Sequence, residues 1–327
     1  MSEYKGIKGL TIQEVASDPP APIEGQVWYN TTTSALKGYI NNPGSWSTGG
    51  DLPDIRQRIA SAGTQTAALA FGGFLQGWIG NNPPFKVSAT DEYNGTSWTR
   101  VSPMNTARWH LAGTGTQTSA IAFGGGQDPG NTGATELYNG STWTEVNDLN
   151  TGRFKLAGCG TQTAALAFGG EPDFYFGSLN ESWNGTNWTE VNDLNNGRRS
   201  LGGAGTQTAG LAFGGDPGFG NATEKFNGTN WTEVSGEVGT YDLGGGGTQT
   251  SAIAAGGYPY YARTRTYNGT TWTERSDMIR GRQFLSVAAA DNTAALAIGG
   301  QNPADATVGL TTLEWNVGLF TKTLSTE

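Results

Sequence analysis

Few residues in this chain are equipped for chemistry. Its 327 residues include one histidine, His110, and one cysteine, Cys159, too few to assemble a zinc or copper site of ordinary nitrogen and sulfur ligands. No Ser-His-Asp arrangement is suggested by position, because the serines and threonines fall in repeated turns. Among the carboxylates, Asp128, Glu171, Asp173 and Asp216 lie in connections that a fold could bring together, and two at the right separation would equip a glycoside hydrolase. The plainer reading makes them solvated caps and turn residues. Aromatic side chains crowd the same connections: Phe74, Trp78, Phe85, Phe174, Tyr175, Phe176, Phe219, Tyr258, Tyr260 and Tyr261. Together with Asp128, Asp173 and Asp216 they form a candidate binding surface that could stack on a glycan or anchor a protein neighbour. The alternative is that they fold back as lids. The balance points to binding rather than catalysis, with no cofactor and no metal.

What positions these residues is a repeat. The phrase Gly-Thr-Gln-Thr-Ala-Ala-Leu-Ala-Phe-Gly-Gly recurs six times, its double glycines ending at Gly73, Gly125, Gly170, Gly215, Gly257 and Gly300. In the unit from Gly152 to Val191, alternation and turn chemistry mark four strands. Strand A runs from Arg153 through Leu156 to about Gly160, and strand B is Thr163 to Phe168. Strand C ends at Trp183 and strand D carries Trp188. Asn184-Gly185 between C and D suits a two-residue type I′ hairpin, and the pair returns at Asn94, Asn139, Asn227 and Asn268. One such sheet cannot cover both its faces, so copies must stack around an axis as blades. The aromatics Tyr93, Tyr138, Trp183, Phe226, Tyr267 and Trp315 before the turn, and Trp98, Trp143, Trp188, Trp231, Trp272 and finally Phe320 after it, are expected to fill the layers between blades. Cys159 is expected as a small buried residue on strand A, and His110 as a structural residue of the same strand.

The unit resembles the kelch repeat: a double glycine, an aromatic, a tryptophan, then a hydrophobic-to-arginine link into the next blade. Trp98 is followed by Met104 and Arg108, Trp143 by Leu149 and Arg153, Trp188 by Leu194 and Arg198, and Trp272 by Met278 and Arg282; Trp46, Leu52 and Arg56 keep the same spacing. The fifth link departs, with Thr240 where the arginine should stand. The resemblance covers Trp46 to Phe320 and implies an all-β kelch-like β-propeller of four-stranded antiparallel blades. It says little about function, since shared folds host unrelated activities. Oxidase chemistry known on kelch-type propellers needs more histidine than this chain has. The aspartate of sialidase-type turns is replaced here by Asn-Gly-Thr.

Residues 1–9 read as a polar N-terminal arm. Residues 10–50 supply strands at Leu10–Val15, Gly25–Asn30, Ala35–Ile40 and Ser45–Thr48, either a degenerate first blade or an attachment module. Residues 51–327 hold six blades. Seven blades are favoured because the extra segment has strands in the right order; six blades plus an N-terminal module is the alternative. In either case the B–C and D–A connections share one face, and the short A–B and C–D turns share the other. Variable loops on a rigid scaffold are where binding usually lives.

The opening Met1-Ser-Glu-Tyr-Lys-Gly-Ile-Lys-Gly-Leu10, and above all Glu24-Gly-Gln-Val-Trp-Tyr-Asn-Thr-Thr-Thr33, looks like openings of virion proteins of tailed, notably marine, bacteriophages; the repeats look like kelch-type proteins of the same viruses. This resemblance implies a non-enzymatic structural protein of a fibre, baseplate or capsid appendage. It would be found in the virion, extracellular after host lysis, and would touch other virion proteins. The alternative is a receptor-binding protein for host surface glycans acting through the B–C loop face, and the outsider a polysaccharide depolymerase. A homo-oligomer is compatible with either role. With 19 basic and 28 acidic residues, a net charge of −9 and no basic cluster, composition argues against nucleic acid or an anionic membrane surface as partner. No apolar stretch is long enough to insert in a bilayer and no secretory signal opens the chain, so glycosylation at the repeated Asn-x-Thr sites is not expected.

Overall fold

The computed structural model describes residues 12–20, 22–23, 25–75, 86–127, 129–173, 175–218, 222–234, 236 and 238–324. The chain divides into two compact units, one of residues 1–44 with 317–327 and one of residues 45–316.

The larger unit is built of propeller blades. Blade I pairs Ala60–Gly63, Ala68–Phe71, Thr90–Tyr93 and Trp98–Val101 as an antiparallel meander. Blade II (Ala112–Thr116, Ser119–Phe123, Thr135–Tyr138, Trp143–Val146) and blade III (Ala157–Thr161, Ala164–Phe168, Asn180–Trp183, Trp188–Val191) repeat it. So do blade IV (Gly202–Thr206, Ala209–Phe213, Thr223–Phe226, Trp231–Val234) and blade V (Gly244–Thr248, Ser251–Ala255, Thr264–Tyr267, Trp272–Glu274). Blade VI takes strands A and B from Ser286–Ala289 and Ala294–Ile298, strand C from residues 312–316, and strand D from residues 45–48. Innermost strands neighbour one another in the order I to VI, and the sixth touches the first.

Two sequence expectations change here. The described residues before Ser45 form no seventh four-stranded blade, and the six-blade alternative describes the sheets. The reason is the pairing: Gln13–Val15 runs parallel to Val27–Asn30, whereas a blade is an antiparallel meander joined by short turns. In that smaller unit Val27–Asn30 pairs antiparallel with the strand starting at Ala35, and Asp18 fastens the segment. The Asp18 carboxylate accepts from Lys37 (2.8 Å), Asn30 (2.8 Å) and the Trp28 indole (3.0 Å), and the Lys37 bond leads in lowering its pKa to about 2. The second change concerns Trp46. It completes the last blade rather than a first one, resting on Trp315 with ring centroids 5.4 Å apart, in the place expected for Phe320. The side chain of Phe320 lies outside the described residues.

The aromatic layers follow the repeat. The residues flanking each C–D turn pair across it (Tyr93–Trp98, Tyr138–Trp143, Trp183–Trp188, Phe226–Trp231, Tyr267–Trp272) with centroids 4.9–5.3 Å apart. Trp143, Trp188 and Trp231 also receive the edge of the preceding blade's strand-B phenylalanine, as Phe123 meets Trp188 at 5.0 Å, and Trp272 meets Phe213 at 4.8 Å. The strand-B phenylalanine explains a strand-A glycine: a Cβ on Gly158 would stand 2.4 Å from the Phe123 ring. Cys159 is buried on strand A, where burial raises its thiol to about 12. In the C–D turns only the glycine has positive φ (+92° at Gly185), whereas type I′ requires two such residues. Asn184 instead flanks the turn, its Oδ1 accepting from the backbone N–H of Thr186 (2.9 Å) and Asn187 (2.8 Å).

Two side chains turn separate blades into one body. The glutamine of each Gly-Thr-Gln-Thr turn reaches back to carbonyls on strands B and C of the preceding blade. Gln162 donates to Ala120 (3.1 Å) and Tyr138 (2.5 Å), and Gln65 to Ala295 (3.4 Å) and Trp315 (2.6 Å), joining first blade to last. Asn292 does the same from blade VI to Tyr267 (2.8 Å). The repeated arginine pins each link to the blade it enters: Arg108 meets Glu136 (2.9 Å), Arg153 meets Glu181 (2.5 Å), Arg198 meets Glu224 (3.0 Å) and Arg56 meets Asp91, with every one of these side chains at most 1% exposed. In blade V both members change together. Thr240 replaces the arginine, Arg265 occupies the strand-C position of the acid, and its guanidinium donates to the Val238 carbonyl at 2.5 Å. The inner contact of that blade is therefore kept without leaving a carboxylate buried alone.

Candidate functional site

Each link ends in four residues: Arg56-Gln57-Arg58-Ile59, Arg108-Trp109-His110-Leu111, Arg153-Phe154-Lys155-Leu156, Arg198-Arg199-Ser200-Leu201, Thr240-Tyr241-Asp242-Leu243 and Arg282-Gln283-Phe284-Leu285. The outer two are buried anchors. The second residue bridges to the residue after its own blade's double glycine, as Phe154 does to Glu171 and Arg199 to Asp216. The third adopts a left-handed conformation in every blade, with φ of 56°, 51°, 56°, 55°, 55° and 58° for Arg58, His110, Lys155, Ser200, Asp242 and Phe284. Non-glycine residues rarely hold this conformation, at a cost of roughly 1 kcal/mol apiece.

A closed cycle of hydrogen bonds holds it. The N–H of His110 donates to the Arg58 carbonyl (3.0 Å), Lys155 to His110 (2.9 Å), Ser200 to Lys155 (2.8 Å), Asp242 to Ser200 (3.0 Å), Phe284 to Asp242 (2.8 Å) and Arg58 back to Phe284 (2.8 Å). The strand-A prolongation expected through Leu156 is absent: the strand begins at Ala157, and His110 lies in this turn rather than in strand A. The six side chains line one mouth of a channel along the blade axis, a polar pocket of about 130 Å³. The channel's other end, about 220 Å³, is lined mainly by glycine, alanine and threonine of the innermost strands.

The mouth is electrostatically uneven. Lys155 pairs with Glu171 (3.1 Å), and Arg199 with Glu171 (2.6 Å) and Asp216 (3.1 Å). Arg58 differs. Its guanidinium sits over the rings of Phe284 (4.6 Å), Trp109 (5.1 Å) and Phe74 (5.4 Å), and among the described residues no carboxylate is within ion-pair distance and no protein acceptor meets any of its nitrogens. Its Nε is buried; the two terminal nitrogens reach solvent. Burial lowers its pKa. His110 packs on Phe284 (5.2 Å) and Phe154 (6.3 Å), and burial, seconded by Arg58, Lys155 and Arg199, holds it neutral well below the usual histidine range. Burial pushes Asp242 up to about 6 against a Ser200 hydrogen bond and the positive charges of Lys155 and Arg58.

The described loop residues singled out from sequence make separate local contacts. Phe74 reaches the mouth as one wall of the Arg58 box, and also meets Trp109 edge-on at 6.3 Å. Tyr258 stacks on Tyr241 at 4.8 Å, Phe176 lies under Arg199 at 4.7 Å, and Tyr261 lies under Arg263 at 4.3 Å. The Tyr260 backbone approaches Gly281 so closely that a Cβ there would be 2.0 Å from its carbonyl oxygen. Asp216 is engaged with Arg199, while Asp173 and Tyr175 stand exposed. Trp78, Phe85, Asp128, Phe174 and Phe219 lie outside the described residues. The mouth residues themselves escaped the sequence reading. Their signal is two positions, Gln-Arg, Trp-His, Phe-Lys, Arg-Ser, Tyr-Asp and Gln-Phe, that vary between a nearly constant arginine and a constant Leu or Ile.

No protein-family model matches the sequence, and none of the curated proteins matches it.

Proposed function

We propose that the chain is a non-enzymatic binding propeller of the kelch type that serves as a structural subunit of a tailed-phage virion, meeting neighbouring virion proteins through the face that carries the B–C loops and the links. The virion setting rests on the likeness of the opening segment and repeats to such proteins. The choice of face rests on one observation: Tyr175 (76% exposed), Ile279 (56%), Tyr258 (45%) and Phe176 (42%), the exposed large apolar side chains of the propeller unit among the described residues, all belong to B–C loops or to a link. On the opposite face the repeated glutamines and asparagines are already spent on carbonyls and turn amides. Apolar residues gathered on one face of a rigid scaffold favour a partner surface.

The test is cryo-EM of intact particles with this chain located in the map. Density of another protein over Tyr175, Tyr258 and Ile279 supports the reading; particles without the chain, or a bare face, refute it. A bare face at a fibre tip would instead favour adsorption to host glycans, for which the exposed Tyr175 beside Asp173 offers a ring and a hydrogen-bonding group. A glycan array would then decide it.

A further inference from the structure

Arg58 is the anomaly of the axial mouth. A guanidinium boxed by three rings forfeits hydration, and proteins normally return it through a carboxylate or carbonyl. The other cations at this mouth follow that rule: Lys155 and Arg199 are taken by Glu171 and Asp216. Among the described residues Arg58 has no such partner, yet its terminal nitrogens face a solvent-connected pocket. The arrangement is that of a charge waiting for an anion from outside.

We propose that the axial mouth binds a hydroxylated monocarboxylate, its carboxylate on Arg58 and its hydroxyls toward Ser200 and Asp242. One free, planar guanidinium matches a planar carboxylate through two parallel bonds. It matches a phosphate dianion poorly, because the second charge finds no second free cation and faces Asp242. Around the six-membered cycle, Ser200 is three places from Arg58 and Asp242 follows it, so a serine hydroxyl that donates to Asp242 and keeps its oxygen as an acceptor, and the carboxylate itself, lie across the mouth from the cation. His110, neutral beside Arg58, adds a donor or acceptor without adding charge. Phe284 offers an apolar wall. At about 130 Å³ the pocket takes a free hydroxy acid or the acidic end of a sugar acid, not an oligosaccharide.

Calorimetric titration of the full chain with lactate, glucuronate, acetate and inorganic phosphate tests this. Saturable binding of lactate or glucuronate at least tenfold tighter than acetate or phosphate, lost in Arg58→Gln, is expected; which of the two binds identifies the source as a free hydroxy acid or a sugar acid. Should Arg58→Gln fail to fold by circular dichroism, Ser200→Ala, a smaller change on the hydroxyl side, should narrow the preference over acetate at least threefold. Absence of saturable binding by either hydroxy acid, equal affinity for acetate or phosphate, or binding indifferent to Arg58→Gln, or to Ser200→Ala where that variant stands in, overturns the proposal.

Discussion

Among the described residues, the indole N–H of Trp231 and the side-chain oxygen of Asn180 both lack a hydrogen-bond partner, at the one blade boundary where asparagine replaces threonine. At the other five boundaries the outer-strand tryptophan donates to a threonine hydroxyl on the preceding blade: Trp98 to Thr312, Trp143 to Thr90, Trp188 to Thr135, Trp272 to Thr223 and Trp46 to Thr264, at 2.8–3.0 Å. Restoring the threonine with Asn180→Thr should stabilise the protein by about 1 kcal/mol, the usual gain from satisfying a buried donor. The measurement is the urea midpoint at unchanged slope, and an unchanged or lower midpoint would contradict it.

Blade V offers a natural control for the buried ion pairs. Arg153→Thr alone leaves Glu181 buried without its cation and should cost about 3–5 kcal/mol. Adding Glu181→Arg reproduces the Thr240 and Arg265 arrangement of blade V and should recover more than half of that loss. Equal destabilisation of single and double variants in denaturant titrations would show that the blade V arrangement does not transfer.

Trp46 is 218 residues from the Thr264 hydroxyl it donates to, yet it occupies the same place in its blade as Trp188. Trp46→Ala and Trp188→Ala should therefore cost about the same, roughly 3–5 kcal/mol each. A Trp46→Ala variant whose melting is near wild type would mean that the last blade stands without residues 45–48.

Asp242 gives the mouth a pH dependence. Its folded pKa of about 6 lies above the ordinary 3.8, so the folded state binds its proton more tightly than the unfolded chain does. The resulting stabilisation is fully present below pH 3.8 and is lost as pH rises through 6. Ser200, Lys155 and Arg58 act against this shift and Asp216 adds to it, while burial holds the nearby His110 well below the usual histidine range. Asp242→Asn should flatten stability between pH 4 and 7 and raise it at pH 8 by roughly 1 kcal/mol, less than the full two units would imply because the mouth is open to solvent. An unaltered pH profile would place the titration elsewhere.

Much of this architecture was legible because it repeats. The strand pattern, the aromatic pairs and the arginine spacing recur often enough that chance is excluded, and the sheets follow them. Trp46 shows where spacing falls silent: Trp46, Leu52 and Arg56 mark an outer strand entering a link, but the same spacing holds whichever sheet that strand joins. Its partner, Trp315, is far along the chain, and only long-range pairing reveals it. The mouth was hidden for the opposite reason. Repetition is legible through sameness, and Arg58, His110, Lys155, Ser200, Asp242 and Phe284 share no chemistry; what they share is a backbone angle, which side-chain identity does not encode when four of the six, Arg58, Lys155, Ser200 and Phe284, are poor candidates for positive φ. The conspicuous aromatic loops drew the eye to the rim instead.

The hydrogen-bonded cycle at the axis is made wholly of main-chain atoms, so it asks of each blade's side chain only that it tolerate the left-handed conformation. Six positions can therefore be rewritten one at a time without renegotiating the closure of the propeller, and the present set is one composition among many that the same frame would hold. Because no single blade carries more than one of these positions, whatever the mouth recognises is a property of the ensemble of repeats. Duplication of one unit created a surface that no unit possesses, and divergence at a single residue per copy is enough to change what that surface meets.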